Sequence, residues 1–320
     1  MSYRQFYFQW EFLISCFMVL KDVLKTGYPF VESIAAGLPI CDEFLISEGY
    51  SVDGTYEVVQ KISQLNKKVK VFRQEWPATK RYSAIAEVTN ALRTKCRYDY
   101  IFSIQANEVI HERNIKLIQA LPEICPQVNT FSLPFMHFVK EYQFYEDFRL
   151  RFTKNMKSIV AIGDAWTLGL SKSFIHSQTF KSMTRPRRLL KNIYKGIEWT
   201  YTNSGVSPIS RVVYLPNPIY RYWSLFPLDY LTKCKKHIEM FGLTELQKDV
   251  EILKNYVDDP IIFWRKAAEI RRNELGFHYP DELGTIKLKD HPKVVRDLVA
   301  DSEIKSYRVR PEVLDLLKDL

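Results

Sequence analysis

Apolar and polar positions follow two different periods along the first 140 residues of this chain. Residues 12–20 form an unbroken apolar run bounded by charges, which predicts a buried central strand. Val31, Ile34, Ala35 and Leu38 have the i, i+3, i+4, i+7 spacing that predicts one apolar face of a helix. Further blocks of both kinds alternate. The predicted strands are 12–20, 43–47, 69–72, 98–104 and 128–139, and the predicted helices begin near residues 29, 53, 85 and 114.

Regular alternation of strands and helices predicts an α/β fold, in which a mostly parallel sheet is flanked by helices. The pattern changes after residue 140. Residues 148–162 read as two strands joined by a polar turn, and helical patterns then dominate over 228–241, 243–257 and 261–275. We therefore expect a nucleotide-binding domain over residues 1–215 and a mainly helical extension over 216–320 packed on it.

The composition limits which classes of binding partner are expected. The chain has 320 residues, a net charge of +9 and 14% aromatic residues. A basic surface favours nucleotide diphosphates, nucleic acid or acidic lipid surfaces, and it equally serves solubility. The basic segment 181–195 fits a solvated loop, a clamp on an anionic acceptor, or an amphipathic element at a membrane surface. No recognition module accompanies it, so specific nucleic-acid binding is not expected.

The cysteines and the first apolar run indicate the compartment. The five cysteines are odd in number and lack C-x-x-C spacing, which favours a reducing environment over a disulfide framework or a zinc site. Residues 12–20 are too few to span a bilayer and lack a cleavage site. We expect a cytoplasmic protein that contacts membranes peripherally if at all.

Two polar clusters lie where predicted strands end, which is where α/β folds bind ligands. The first is Gln105-Ala106-Asn107-Glu108, directly after the fourth strand. The second is the segment 47–55, SEGYSVDGT, between the second strand and its helix. Carboxylates there accept hydrogen bonds from a nucleobase or a ribose. The structural alternative is a turn in which Asp53 caps the helix and Gly54 supplies a special backbone angle.

The order and spacing of several motifs resemble the family 2 glycosyltransferases of GT-A fold. They resemble in particular a branch of that family whose central motif reads Q-A-D-E-V-I-H-E, and the likeness covers most of the chain. The segments that carry it are SEGYSVDGTYE (47–57), Asn90-Ala91-Leu92, YIFSIQANE (100–108), QANEVIHE (105–112), Phe135-Met136-His137-Phe138, 149–164 and 283–292.

The resemblance implies transfer of a sugar from a nucleotide-diphosphate sugar to a hydroxyl of a glycan, lipid-linked or protein acceptor, usually with inversion. By position, Glu48 would face the base or its ribose, and Asp53 would contact the nucleotide or fix the loop. Asn107 would occupy the place of the family's metal-binding aspartate. Glu108 would orient the donor sugar.

This chain departs from the family at the metal position. Mn²⁺ and Mg²⁺ prefer anionic oxygen ligands, whereas Gln105 and Asn107 offer neutral carbonyl oxygens, which bind a metal weakly or hydrogen-bond the donor instead. Arg221, within the segment 220–223, stands where the branch carries a histidine. Arginine pairs with phosphate and does not ligate metals. We therefore expect Arg221 and Lys233 to meet the charge of the diphosphate.

An inverting displacement needs a base for the acceptor hydroxyl. Asp164 fits by family position, and a turn-forming role beside Gly163 is an equal alternative. Glu146 and Asp147 are the fallback candidates. We expect structural roles for His111 and Glu112, and a core position for His137.

Two rival functions remain at this point. A protein that kept the fold and lost the chemistry would explain the amides at Gln105 and Asn107, whereas the carboxylates Glu48, Asp53, Glu108 and Asp164 together favour an enzyme. Nucleotidyl transfer on a related sheet is weaker, because it requires more acidic metal ligands than this sequence has.

Overall fold

The computed structural model describes residues 12–77, 83–170, 210–241, 244, 246–274 and 284–320. The basic segment predicted over 181–195 lies outside these residues. Within them the chain forms a ten-stranded sheet, a separate two-stranded sheet and helices on both sides. The predicted α/β fold class, with a mostly parallel sheet flanked by helices, is confirmed.

The main sheet has the order β3-β2-β1-β4-β7-β6-β11-β5, with β10 beside β6 and β12 beside β7. Strands β3, β2, β1 and β4 are parallel, so their carboxyl ends meet at one edge. The strands of both sheets are β1 (Ile14–Leu20), β2 (Glu43–Glu48), β3 (Val69–Arg73), β4 (Tyr100–Ser103), β5 (Glu108–Val109), β6 (Thr130–Val139), β7 (Tyr142–Lys154), β8 (Ile159–Ile162), β9 (Thr167–Leu170), β10 (Ser210–Val212), β11 (Ile219–Ser224) and β12 (Gly284–Thr285).

The helices occupy the places that the apolar periodicity indicates, and short 3₁₀ turns connect some of them. In the described ranges the α-helices are α1 (Phe30–Gly37), α2 (Thr55–Leu65), α3 (Ser83–Arg93), α4 (Ile115–Ile124), α5 (Pro227–Phe241), α6 (Leu246–Leu253), α7 (Pro260–Glu274), α8 (Arg296–Ala300) and α9 (Pro311–Asp319). None of the helices in this part of the chain combines the length and apolarity that crossing a membrane requires.

The long strand β7 lies inside the main sheet, between β4 and β6, and runs in the opposite direction to both. It pairs antiparallel with both β4 and β6, and it begins at Tyr142, six residues before the strand predicted from residue 148. The next strand, β8, pairs with β9 instead of with β7. This small hairpin therefore stands off the main sheet and carries its turn, residues 163–166, toward the carboxyl edge.

Strand β11 lies beyond the boundary predicted after residue 215. It is parallel to β6 and antiparallel to β5, so the sheet continues through Ser224. Most of its residues are buried. The division of the chain into two domains at residue 215 stays a prediction.

The carboxyl-terminal helices are joined to the sheet at two places. Helices α5, α6 and α7 share an apolar cluster with Val139 of β6. Helix α9 packs on α1 and α2. Buried Glu32 of α1 accepts a hydrogen bond from the Tyr307 hydroxyl at 2.9 Å and pairs with Arg310 at 3.3 Å. The predicted helical extension therefore covers the first helix of the sheet domain.

Candidate active site at the carboxyl edge of the sheet

A cleft opens at the carboxyl edge of β1 and β4 and has two adjacent compartments. The inner compartment has a volume of about 150 Å³, and its polar lining includes Gln105, Asn107, Asp164 and Arg221. These residues come from three separate stretches of the chain, so only folding brings them together. The inner compartment therefore joins the polar cluster after β4, the β8–β9 turn and strand β11.

Gln105 is held between the β8–β9 turn and β11. Its Nε2 donates to the carbonyl of Ala165 at 3.2 Å, and its Oε1 accepts from Arg221 Nη2 at 3.4 Å. Both ends of the amide are thus oriented by protein groups. An aspartate here would still attract Arg221 but would lose the bond to Ala165.

Asn107 is buried, and its Nδ2 donates to the carbonyl of Tyr222 at 2.9 Å. This bond fixes the loop after β4 against β11. It also points the amide nitrogen toward protein and leaves a carbonyl oxygen as the polar group of Asn107 at the compartment wall.

Glu108 is placed differently from the sequence-based expectation that it orients the donor sugar. Its side chain is buried and is absent from the lining of the cleft. Oε1 accepts from Arg151 Nη2 at 2.6 Å and lies 3.7 Å from Arg221 Nε, while Oε2 accepts from the backbone nitrogen of Gln105 at 2.9 Å. Glu108 therefore holds two arginines and the cluster backbone in place.

The wall behind the inner compartment brings three arginines together with three carboxylates. Arg149 pairs with Asp147, Arg151 and Arg221 pair with Glu108, and the charge of Asp164 also acts on Arg151 and Arg221. Burial lowers the pKa of Arg221, and the nearby charge of Arg149 lowers it further. Burial also lowers the pKa of Arg151 to about 10, which still leaves it charged at neutral pH.

His137 links the arginines to Asp147. Its Nε2 lies 3.2 Å from Asp147 Oδ1, and its Nδ1 lies 3.4 Å from Arg221 Nη1. Burial lowers the pKa of His137 to about 3, so the ring is neutral at physiological pH. The sequence-based prediction of a satisfied core histidine agrees with this position.

The fallback base Asp147 is poorly suited to accept a proton. Burial alone would raise its pKa, but the hydrogen bond with His137 and the charge of Arg149 prevail and lower the pKa to about 2. The other fallback, Glu146, accepts from Gln143 Nε2 at 2.7 Å and is absent from the lining of either compartment.

Asp164 lies in the turn of the β8–β9 hairpin and lines the inner compartment. Gly163 and Ala165 on either side have φ values of +64° and +62°, so the backbone of the turn is left-handed there. Asp164 Oδ1 accepts from the backbone nitrogen of Trp166 at 3.1 Å. This bond orients the carboxylate, and the turn-forming role and the exposure to the cleft coexist in one residue.

Glu48 and Asp53 brace the loop that follows β2. Buried Glu48 accepts from the backbone nitrogen of Ser51 at 2.6 Å and from Arg73 Nε at 3.0 Å. Asp53 accepts from the backbone nitrogens of Lys25 and Thr55 at 2.8 and 3.0 Å. Neither is among the described residues that line the two compartments, and the contact of Glu48 with the base stays a prediction. Of the two roles expected for Asp53, the hydrogen bonds correspond to the bracing one.

Lys233 is likewise placed behind the site. It is buried on α5, where Nζ donates to the carbonyl of Trp223 at 2.6 Å and lies 3.7 Å from the Trp223 ring centroid. It also lies 4.7 Å from the ring of Tyr28, which does line the inner compartment. Lys233 therefore supports an aromatic wall, and its contact with a diphosphate stays a prediction.

The outer compartment, of about 600 Å³, contains residues that sequence reasoning missed. It shares Lys21, Thr26, Trp76 and Lys236 with the inner compartment. Lys21 directly follows β1, a position that could have marked it as a candidate by the rule applied to Gln105. Lys236 lies mid-helix on α5 and gives no such signal, because only the packing of α5 over the sheet edge brings it there.

The residues at the expected metal position do not fit a divalent cation. Gln105 and Asn107 supply neutral carbonyl oxygens. Nη2 of the positively charged Arg221 guanidinium lies 3.4 Å from Gln105 Oε1. Among the described residues that line the inner compartment, Asp164 is the one carboxylate. Hard cations in proteins take several anionic oxygens, and a fixed positive charge beside the site opposes them.

No protein-family model matches this chain, and no curated protein matches its sequence. Among solved structures, the chain is similar to TarS residues 1–349 of S. aureus in complex with UDP, with 16% identity and a TM-score of 0.30 over 40% of this chain and 35% of that one.

A second similar structure is the mannosyltransferase PcManGT of Pyrobaculum calidifontis in complex with GDP-Man and Mn²⁺, with 13% identity and a TM-score of 0.32 over 39% of this chain and 36% of that one. A third is mannosyl-3-phosphoglycerate synthase of Rubrobacter xylanophilus, with 13% identity and a TM-score of 0.29 over 41% of each chain. The chain thus spans about two fifths or less of the length of these proteins.

Proposed function

We propose that this protein is a glycosyltransferase that moves a sugar from a nucleotide-diphosphate sugar to an acceptor hydroxyl. The observation that carries the proposal is the convergence of Gln105, Asn107, Asp164 and Arg221 on one compartment at the carboxyl edge of a parallel sheet. Open α/β sheets bind ligands at this edge. The motif resemblance described above implies that the donor binds at the same edge.

The chemistry of the inner compartment suits the reacting end of such a donor. Amide groups of Gln105 and Asn107 match sugar hydroxyls, which both donate and accept hydrogen bonds. Arg221 matches the phosphate that leaves with the nucleotide, since a guanidinium pairs with phosphate oxygens in a bidentate manner. It stands in front of two further buried arginines, Arg149 and Arg151, which are paired with Asp147 and Glu108.

Asp164 is the group that we assign as base. In a single displacement with inversion, Asp164 takes the proton of the acceptor hydroxyl while the acceptor oxygen attacks the anomeric carbon. The bond from that carbon to the diphosphate breaks, and the diphosphate departs with the electron pair. Arg221 stabilises the charge that develops on the leaving group. The backbone bond from Trp166 keeps the Asp164 carboxylate aimed during this step.

This mechanism uses no divalent metal. The positive charge comes from Arg221 and from the lysines of the cleft, because the amides at Gln105 and Asn107 are weak ligands for Mn²⁺ or Mg²⁺. The fixed guanidinium takes the electrostatic role that a metal plays at an acidic site.

The rival function is a nucleotide-sugar-binding protein without turnover. It is favoured by the burial of Glu48 and Glu108, whose carboxylates are engaged by protein groups. The two functions differ at Asp164, because binding alone does not require a base.

The test is release of nucleoside diphosphate from UDP-, GDP- and dTDP-sugars, with water or added glycans as acceptor, by the wild type and by Asp164→Asn. We expect turnover with one donor and a loss of about 100-fold or more in kcat for Asp164→Asn, typical of removing a general base. Asp319→Asn, the same change at an exposed position at the end of α9, is the matched control. Donor binding without turnover by the wild type would leave the binding protein as the function.

A further inference from the structure

The outer compartment of the cleft is lined by four lysines and two carboxylates. Lys21 and Lys25 come from the loop after β1, and Lys235 and Lys236 come from α5. Asp22 and Glu239 are the acidic members of the lining. At neutral pH the wall therefore carries an excess of two positive charges around a space of about 600 Å³. Volumes of 300–1,000 Å³ are typical of ligand sites.

Part of the acidic charge near these lysines is bound to the backbone. Asp22 Oδ1 accepts from the backbone nitrogen of Val52 at 3.0 Å, and Asp53, beneath the loop, accepts from the backbone nitrogen of Lys25 at 2.8 Å. These bonds brace the loops after β1 and β2 against each other. In the described part of the chain, neither Asp22 nor Asp53 forms an ion pair with a lysine side chain of the compartment.

Three of the lysines are close enough to influence one another. Burial lowers the pKa of Lys236, the charges of Lys21 and Lys25 lower it further, and Asp22 and Asp53 oppose this change. Lys236 Nζ donates to the backbone carbonyl of Lys21 at 3.2 Å, so the side chain is directed across the cleft to the loop after β1. Like charges gathered around a cavity are relieved when an anion with several oxygens binds between them.

The outer compartment adjoins the inner compartment, to which the reacting end of the donor is assigned. Lys21, Trp76 and Lys236 line both compartments, so a ligand that extends through the cleft passes between them. Lys21 Nζ lies 5.9 Å from the centroid of the Trp76 ring, which adds a flat apolar surface at this junction.

We propose that Lys21, Lys25 and Lys236 bind the diphosphate group of the donor in the outer compartment without a metal ion. This inference rests on the proposed function for the identity of the donor. It assigns the sugar to the inner compartment, the phosphate nearest the sugar to Arg221 and Lys236, and the second phosphate to Lys21 and Lys25. Because the amides of Gln105 and Asn107 are weak ligands for a divalent cation, the lysines supply the positive charge that such a cation would bring.

The proposal is tested by isothermal titration calorimetry with inorganic pyrophosphate, UDP and GDP in buffer that contains a chelator. We expect the wild type to bind pyrophosphate and one nucleoside diphosphate. We expect Lys236→Gln and Lys25→Gln each to weaken this binding about tenfold, the effect of losing one charge-assisted hydrogen bond. Lys116→Gln, an equal charge change at an exposed position on α4, should bind as the wild type does. Lys25 is exposed, so its replacement tests the site without disturbing the packing of α5.

Two results with pyrophosphate and nucleotides would overturn the proposal. One is that Lys236→Gln and Lys25→Gln both bind pyrophosphate and nucleotide as tightly as the wild type does. The other is binding by the wild type that occurs only when Mn²⁺ or Mg²⁺ is added. Geranyl diphosphate is included as a lipid diphosphate, and tighter binding of this probe than of UDP and GDP would assign the diphosphate to a lipid-linked acceptor and overturn the donor assignment.

Failure of the lysine site can be distinguished from failure of the proposed transferase function. If the lysine variants lose pyrophosphate binding and no nucleotide sugar is turned over, the anion site stands and the transferase assignment fails. If a nucleotide sugar is turned over at equal kcat/KM by the wild type and both lysine variants, the transferase assignment stands and the lysine site fails.

Discussion

Arg151 Nη2 donates to Glu108 Oε1 at 2.6 Å, and both side chains are almost wholly buried behind the inner compartment. Arg151 also donates to the carbonyl of Ala165 at 2.8 Å, which joins strand β7 to the turn that carries Asp164. Glu108 in turn lies 3.7 Å from Arg221. One buried carboxylate thus organises the two groups assigned here to leaving-group stabilisation and proton transfer.

Replacing Glu108 by Gln should strongly destabilise the fold. The change leaves the Arg151 and Arg221 guanidinium groups without their carboxylate partner, and breaking a buried pair in this way costs about 3 to 5 kcal/mol. The free energy of unfolding from urea titrations measures the effect. Glu251→Gln, which removes an exposed partner of Lys254, is the control and should cost less than about 1 kcal/mol. Equal effects of the two changes would contradict the role of Glu108.

His137 should make stability depend on pH. Its pKa is lowered by burial to about 3 in the folded state, against an ordinary value near 6.5. Below pH 6.5 the unfolded chain therefore binds more protons than the folded one, so this group's contribution to stability is present above pH 6.5 and is lost as the pH falls toward 3.

Between pH 7 and pH 5 the loss from His137 should be about 2 kcal/mol. Urea titrations of the wild type and His137→Gln at both pH values measure it, because the difference between the two proteins removes the contribution of other groups. The variant should show the smaller loss on acidification. The same loss in both proteins would mean that His137 is protonated in the folded state.

Arg221 and Lys236 should differ in the kinetic constant that they affect. Arg221 faces the phosphate that leaves with the nucleotide, so Arg221→Gln should lower kcat about 100-fold with a smaller change in KM. Lys236→Gln should mainly raise KM, because its interaction exists before the reaction. Steady-state kinetics with the active donor separates these effects. Arg265→Gln, at an exposed position on α7, is the control. A pure KM effect of Arg221→Gln would contradict its assignment to the leaving group.

Gly49 should be needed for the shape of the cleft. A Cβ at this position would lie 2.5 Å from Trp76 Nε1, so Gly49→Ala must displace the ring that lines both compartments. We expect a stability loss of about 1 to 3 kcal/mol, typical of overpacking, together with weaker binding of nucleoside diphosphate. Thermal unfolding with and without UDP or GDP measures both. Gly284→Ala, where the nearest atom is a side-chain oxygen at 3.3 Å, should change neither.

The order of strands and helices through β4 was predictable, because each element carries its own apolar period. The position of Gln105 and Asn107 at the sheet edge was predictable for the same reason, since it depends only on where β4 ends. The end of the sheet was not predictable, because β11 is recognised as a strand of the sheet only through its pairing with β5 and β6.

The roles of charged residues were harder to predict from sequence than their positions. Glu48, Glu108 and Lys233 lie near the site, but hydrogen bonds to Ser51, Arg151 and the Trp223 carbonyl turn them into its supports. Conversely, Lys236 reaches the cleft because α5 packs over the sheet edge, about 130 residues after the loop that follows β4. Such contacts depend on tertiary packing, which no local pattern encodes.

The central claim is that fixed basic side chains, in place of a divalent cation, neutralise a nucleotide-diphosphate sugar in this cleft. The most direct measurement is the rate of donor turnover by the wild type with Mn²⁺ and, separately, with excess chelator. The account predicts equal rates in the two conditions. Turnover that requires Mn²⁺ and stops in chelator would contradict it.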